Sequence, residues 1–379
     1  MTQLTWSAEI GKRIRTGEWP DQAVPTLAKA REALVEAGDI FGTRAGRRET
    51  SAQLVDYFME EAKVVYLIYK VWTAGFLEWL AGAGVPEQER AAELARLAQL
   101  LAYPDGRPLD PATRWDDLAT LAGRLANGIR TYDLAVAEAE LELEALREDW
   151  RRLHDRYADL MSGVLAFVAR RFGEARLEEC YRHVLEPYIQ ERYMPFDVRE
   201  HEYQDTIFRN LYLVFEAMRG HLVGPARDGA MEFQEHDDRY EVRFDPCGSG
   251  GRSLRGDPDE GTGSRVLAPY EFGVTQGRYD WAWNEEGVCY YCAHCCLALE
   301  RLPAERWGHP VRVVDPPLWR GEDDPLTRRA CQWTVYKSLE AIPESAYQRI
   351  GLTKPPLGES AAAPPPARGS GGSSDAPEL

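Results

Sequence analysis

Five of the seven cysteines lie between positions 247 and 296, and Cys289-Tyr-Tyr-Cys292-Ala-His294-Cys295-Cys296 puts five soft ligands into eight residues. A tetrahedral zinc takes four sulfur or imidazole ligands at about 2.0–2.3 Å, and one turn can present a pair two residues apart. Cys289 with Cys292, and Cys292 with Cys295, have that spacing, and Cys247 supplies a distant fourth thiol. The set taken first is Cys247, Cys292, His294 and Cys295, with Cys289 competing for the place of His294 and Cys296 turned into the core. Two alternatives stay open. Cys289, Cys292 and Cys295 have the CxxCxxC spacing of an iron–sulfur cluster with Cys247 as fourth ligand, and buried thiols without chemistry fit as well.

Directly after Cys247 comes Gly248-Ser249-Gly250-Gly251-Arg252. Small residues let successive N–H groups converge on an anion, and Arg252 adds a planar cation suited to a carboxylate or phosphate. The loop has neither the Lys-Ser/Thr ending of a P-loop nor GxGxxG spacing. His201 and Asp205, four apart on an expected helix that also carries Glu202 and His221, form a candidate general-base pair. His309 opens an expected strand and is the third candidate for catalysis. His236 sits in an expected hairpin turn. Glu60 and Glu61 are adjacent, so their side chains point apart.

The elements that must position these groups change character along the chain. Apolar residues at three- and four-residue steps predict helices over 51–82, with Ser51 as cap, then 87–102, 114–129 behind Asp110-Pro111, 132–171, 174–186 ending at Pro187, and 199–223. Beyond Gly224-Pro225 the period becomes two: Tyr240, Val242 and Phe244 alternate with charged residues, and 311–314 and 332–336 are further strands, with a short helix over 297–302. The fold class expected is α+β: a helical domain over 1–150, an α+β metal-binding domain with a small antiparallel sheet over 151–352, and a disordered Pro/Gly/Ser-rich tail over 353–379. Trp281, Trp283, Trp319 and Trp333 surround the cysteines and could wall an apolar pocket.

The order Cys292-Ala-His294-Cys295, short helix, Gly308-His-Pro-Val311-Arg-Val-Val314, then Cys331-Gln-Trp333-Thr-Val335 resembles the C-terminal half of the 4-vinyl reductase domain superfamily and, broadly, the L-2-amino-thiazoline-4-carboxylate hydrolase-like proteins. The likeness covers about 150–340. It departs in the six residues between Asp324 and Cys331 and in the Cys247-Gly-Ser-Gly-Gly loop. It implies an α+β small-molecule-binding domain and transfers no catalytic residue.

Across 379 residues, 45 Lys+Arg against 62 Asp+Glu give a net charge of −17. That charge disfavours nucleic acid and anionic membranes as partners. The start shows no apolar signal core, so a cytoplasmic location is expected; a homodimer stays open. The combined expectation is a zinc-dependent hydrolase or lyase acting on a small carboxylated substrate, with cleavage of a C–N or C–S bond first to test. A non-catalytic small-molecule-binding or sensing module stapled by zinc is the alternative, and an iron–sulfur protein the second.

Overall fold

A computed structural model describes residues 4–39 and 45–356. Most of the tail expected over 353–379 lies outside the described residues. A hairpin opens the chain, β1 (Leu4–Ser7) against β2 (Lys12–Arg15). After a single helical turn at Trp19–Gln22 come the longer helices α1 (Thr26–Ala37), α2 (Ala45–Gly82), α3 (Glu87–Leu100), α4 (Pro111–Thr131), α5 (Val136–Phe172), α6 (Leu177–Arg192) and α7 (Tyr203–Gly220). The α2 helix is the hub, packed by α1, α4, α5, α6 and α7. Its Val55, Phe58, Val65, Tyr69 and Phe76 are fully buried, which follows from apolar residues recurring on more than one face. By length and composition Gly46–Gly82 could cross a membrane.

The helix boundaries differ from the sequence reading where packing or capping intervenes. Helix α2 begins before Ser51, which is buried inside it. Asp110 caps α4 by accepting from the Thr113 N–H at 3.2 Å, as the Asp-Pro pair suggested. Helix α6 continues through Pro187, because Val184, Leu185 and Ile189 on either side are buried and hold the helix despite the missing N–H.

The expected α+β class with a small antiparallel sheet is what the chain adopts. Strands β3 (Glu232–Glu235), β4 (Arg239–Phe244), β5 (Val313–Asp315) and β6 (Cys331–Tyr336) form one sheet in the order β3-β4-β6-β5, every pair antiparallel. The register sets Phe244 opposite Cys331 and Val242 opposite Trp333. That places the loop after β4 beside the start of β6. A short helix, α8 (Gly250–Arg255), follows this loop. The cysteine segment leads into a helical run that is π-helical over Cys296–Arg301 and α-helical over Leu302–Trp307. Residue 150 lies inside α5, and one apolar core runs from Ala23 to Ile350. The helical and α+β parts therefore share that core, and packing marks no boundary at 150.

Candidate active site

The sheet, the cysteine segment and helices α2, α6 and α7 enclose a cavity of about 90 Å³, several times the roughly 10–15 Å³ that admits one water. Cys247, Cys292, Cys295 and Cys331 line it with His221, His294, Tyr291, Trp72, Trp283 and Trp333. Thiols distant in sequence therefore converge on one wall. All seven cysteines are free. Among the described residues, however, no three His, Cys, Asp or Glu side chains are gathered closely enough to hold a metal ion.

Cys247 and the thiols of the cysteine segment have local partners instead. Cys247 Sγ accepts the Gly251 N–H at 2.7 Å, and the Ser249 N–H also reaches it. Cys289 and Cys292 hydrogen-bond to each other; that bond lowers the Cys289 thiol and raises Cys292. His294 Nδ1 donates to the Tyr291 carbonyl at 2.6 Å, which leaves Nε2 to face Cys295 Sγ at 3.3 Å. Burial pushes His294 down to about 4, so the ring is neutral and can accept. Cys296 is fully buried and accepts from the Trp283 N–H at 3.3 Å.

The glycine loop does not form the expected anion site. Its N–H groups at Ser249 and Gly251 cradle the Cys247 sulfur. Its glycines serve close packing: a Cβ on Gly248 would sit 1.7 Å from the His221 carbonyl oxygen, and one on Gly250 would sit 2.0 Å from Cys292 Sγ. Arg252 is 1% exposed and lies outside the cavity lining. It pairs with Asp159 and lies 3.6 Å from Asp155. Its charge is neutralised within the fold, so Arg252 is a structural cation.

The three residues expected to act in catalysis are not brought together. His201 and Asp205 are exposed at the start of α7, His201 before its first turn, and neither lines the cavity. His309 is buried with its ring nitrogens 3.1 and 3.0 Å from the Pro310 and Phe196 carbonyls, and it does not line the cavity. Glu61 is buried against Arg219 at 2.6 Å.

A different polar chain reaches the cavity. Asp155 on α5 accepts from His154 Nδ1 at 2.8 Å, which leaves Nε2 as the acceptor nitrogen of that ring. His154 Nε2 lies 3.0 Å from both the Tyr69 hydroxyl and His221 Nδ1, and the Tyr69 hydroxyl is 3.0 Å from His221 Nδ1. Tyr291 donates to the Tyr69 oxygen at 3.1 Å, and Ser249 hydrogen-bonds Tyr291. Tyr291, His221 and Ser249 line the cavity, whereas Asp155, His154 and Tyr69 stand behind it. Burial lowers His154 and His221, so both are neutral. Burial opposes ionisation of Asp155, but Arg227 and Arg252 more than offset it and hold the carboxyl well below its usual range.

This chain of groups was missed in the sequence because its members come from α2, α5, the end of α7 and the cysteine segment. The adjacent His154-Asp155 pair was the one visible signal, hidden within an apparently apolar helical face. Compared with models of protein families, with curated proteins and with solved structures, the chain shows no significant match.

Proposed function

We propose that the protein is an enzyme that encloses a small molecule in this cavity and carries out general acid–base chemistry on it, hydrolysis of a C–N or C–S bond being the first reaction to test. The observation that carries this reading is the hydrogen-bonded sequence Tyr291, Tyr69, His154, Asp155 running from the cavity wall into the core. A base must be unprotonated at rest and must have its proton-bearing form stabilised when it acts. Neutral His154 meets the first condition, and the ionised Asp155 carboxylate at 2.8 Å from Nδ1 partly offsets the burial that disfavours the imidazolium. As an attacking water loses its proton to the Tyr291 oxygen, the Tyr291 proton passes to Tyr69 and the Tyr69 proton to His154 Nε2. The resulting imidazolium faces the Asp155 carboxylate. The reverse transfers return a proton to the leaving nitrogen or sulfur. His221, neutral and within 3.0 Å of both His154 and Tyr69, holds the branch point in place.

A panel of small amides, thioesters, imines and thiazolines, assayed for hydrolysis, tests the reading. Turnover of at least one member should fall about 10²-fold or more in Tyr69→Phe, the usual worth of a positioned acid–base group. Activity in Tyr69→Phe within about threefold of wild type would rule out the relay, and a panel with no turnover would leave a binding module.

A thiophilic ion, zinc first, is the second reading, favoured by the shared wall of Cys247, Cys292, Cys295 and His294. Its binding requires those side chains to turn from their present partners toward one point. Elemental analysis of the purified protein tests it: one zinc per chain supports the ion, and substoichiometric metal opposes it.

A further inference from the structure

The cavity lining contains two cations and no anion. Arg192, from the last turn of α6, and Arg312, entering β5, are its charged members, and neither Asp, Glu nor Lys contributes to it. This is unusual in a chain whose acidic groups outnumber its basic ones by 17. Arg312 is 3% exposed and forms no ion pair among the described residues. It donates from Nε to the Asn210 side-chain oxygen at 2.7 Å and from one terminal nitrogen to the Asn210 carbonyl at 3.5 Å, and lies over the Trp333 ring at 5.2 Å. An amide oxygen and an aromatic face orient a guanidinium without neutralising it. Arg192 lies beside the Tyr188 ring at 5.6 Å and likewise forms no ion pair among the described residues. The acids around the cavity are engaged elsewhere: Glu216, whose charge acts on Arg192, pairs with Lys12; Glu300 pairs with Arg349 at 2.7 Å and accepts from Trp283; and Asp315 pairs with Arg349 at 3.3 Å. A further donor of the lining, Trp72 Nε1, is buried without a hydrogen-bond partner among the described residues.

Taking a cation out of water without a counter-charge costs several kcal/mol, so buried charges are normally paired. Arg252 obeys that rule through Asp159; Arg312 does not. We infer that Arg312 and Arg192 form a binding site for the carboxylate of a small organic acid whose apolar body rests among the aromatic and thiol walls. The inference rests on the cavity being the substrate chamber proposed above and names the class of substrate it takes. A carboxylate fits the planar fork of Arg312 in two parallel hydrogen bonds. The surrounding Trp72, Tyr188, Trp283 and Trp333 suit a flat, largely apolar body. A neutral analogue of the same shape would leave both guanidinium groups uncompensated.

Calorimetric titration of the full chain with benzoate and with benzamide tests the assignment. Benzoate should bind, and benzamide should bind at least about thirtyfold more weakly, the lower end of what loss of one partner from a buried charge pair costs. Arg192→Gln, at a half-buried position that carries no internal ion pair, should keep the wild-type melting temperature and weaken benzoate at least tenfold. Arg312→Lys, which keeps the charge and loses the fork, should weaken benzoate while leaving benzamide unchanged. Equal binding of benzoate and benzamide, no binding of benzoate, or an unchanged benzoate affinity in a folded Arg192→Gln protein would each overturn the assignment. The titration needs no turnover. Benzoate selectivity without catalysis would leave this site standing and remove the enzyme reading, and turnover of neutral substrates alone would do the reverse.

Discussion

Arg252→Ala separates a structural cation from a ligand-binding one. In the folded chain Arg252 and Arg265 share the Asp159 carboxylate, Arg265 Nε lying 2.7 Å from Oδ2, while Arg252 also lies 3.6 Å from Asp155. Truncating one partner of a buried pair leaves an uncompensated charge and costs about 3–5 kcal/mol. Arg265 still holds one oxygen of Asp159, so the lower end, about 3 kcal/mol, applies. For a chain of this length that corresponds to a melting temperature lower by roughly 4 °C. Urea unfolding at pH 7 should show the deficit in the midpoint with an unchanged slope. Added salt should alter it little, because the pair is shielded from solvent ions. The pH dependence has a definite sign. Burial works against ionisation of Asp159, and Arg252 with Arg265 overcome it, so its folded carboxyl lies below the ordinary value. The stability this supplies is present above the unfolded pKa of about 3.9 and is lost as pH falls through the folded value. The gap between wild type and variant should therefore narrow below pH 4. Benzoate affinity, measured well below the melting temperature, should stay close to wild type. A loss under 1 kcal/mol together with a collapse of benzoate binding would refute the assignment of Arg252 to the scaffold.

Gly248→Ala places a Cβ against the fixed His221 carbonyl and should destabilise by about 1–3 kcal/mol or more, whereas Gly263→Ala, with open space around it, should not; matched melting curves check the contrast. Acid should weaken the fold in two stages. His294, neutral in the folded chain with a value of about 4, favours folding above the unfolded value of about 6.5 and forfeits up to roughly 3 kcal/mol between pH 6.5 and 4; Asp155 and Asp159 add their losses below about pH 4. Urea midpoints across pH 3.5–8 follow both, and a flat profile from 7 to 4.5 would contradict the first. If zinc binds, Cys292→Ser should abolish the metal and lower stability by several kcal/mol; metal content and melting temperature equal to wild type would dismiss that ligand.

The periodic parts of the chain were readable in advance. The α2 helix, the Asp110 cap and the alternation of Tyr240, Val242 and Phe244 each follow from local pattern, and the structure has them. The sequence reading expected Cys247 to meet Cys292 and Cys295 around one ion; the three thiols line the same cavity, but among the described residues no three ligands are gathered closely enough to hold a metal. What failed was the assignment of charge. Arg252 follows a glycine-rich turn, so composition suggested an exposed cradle, yet its partners Asp155 and Asp159 come from a helix about a hundred residues earlier. Arg312 falls in the expected strand over 311–314, where no local pattern gives it a role, and only the tertiary fold turns it onto the cavity. The hairpin at Leu4–Ser7 and Lys12–Arg15 has strands of four residues each, too short for a period to show. The relay through Tyr69, His154 and Tyr291 depends on three separate segments meeting, which no local pattern encodes.

The most direct test of the proposed proton path is nitrogen-15 NMR of the side chains of the seven histidines, assigned with His154→Asn and His221→Asn. The account predicts that at pH 7 His154 is neutral with its proton on Nδ1, toward Asp155, and its Nε2 bare toward Tyr69, and that His221 is also neutral. A His154 signal from an Nε2-protonated or doubly protonated ring at pH 7 would contradict it, because no nitrogen would then remain to take the proton that Tyr69 delivers.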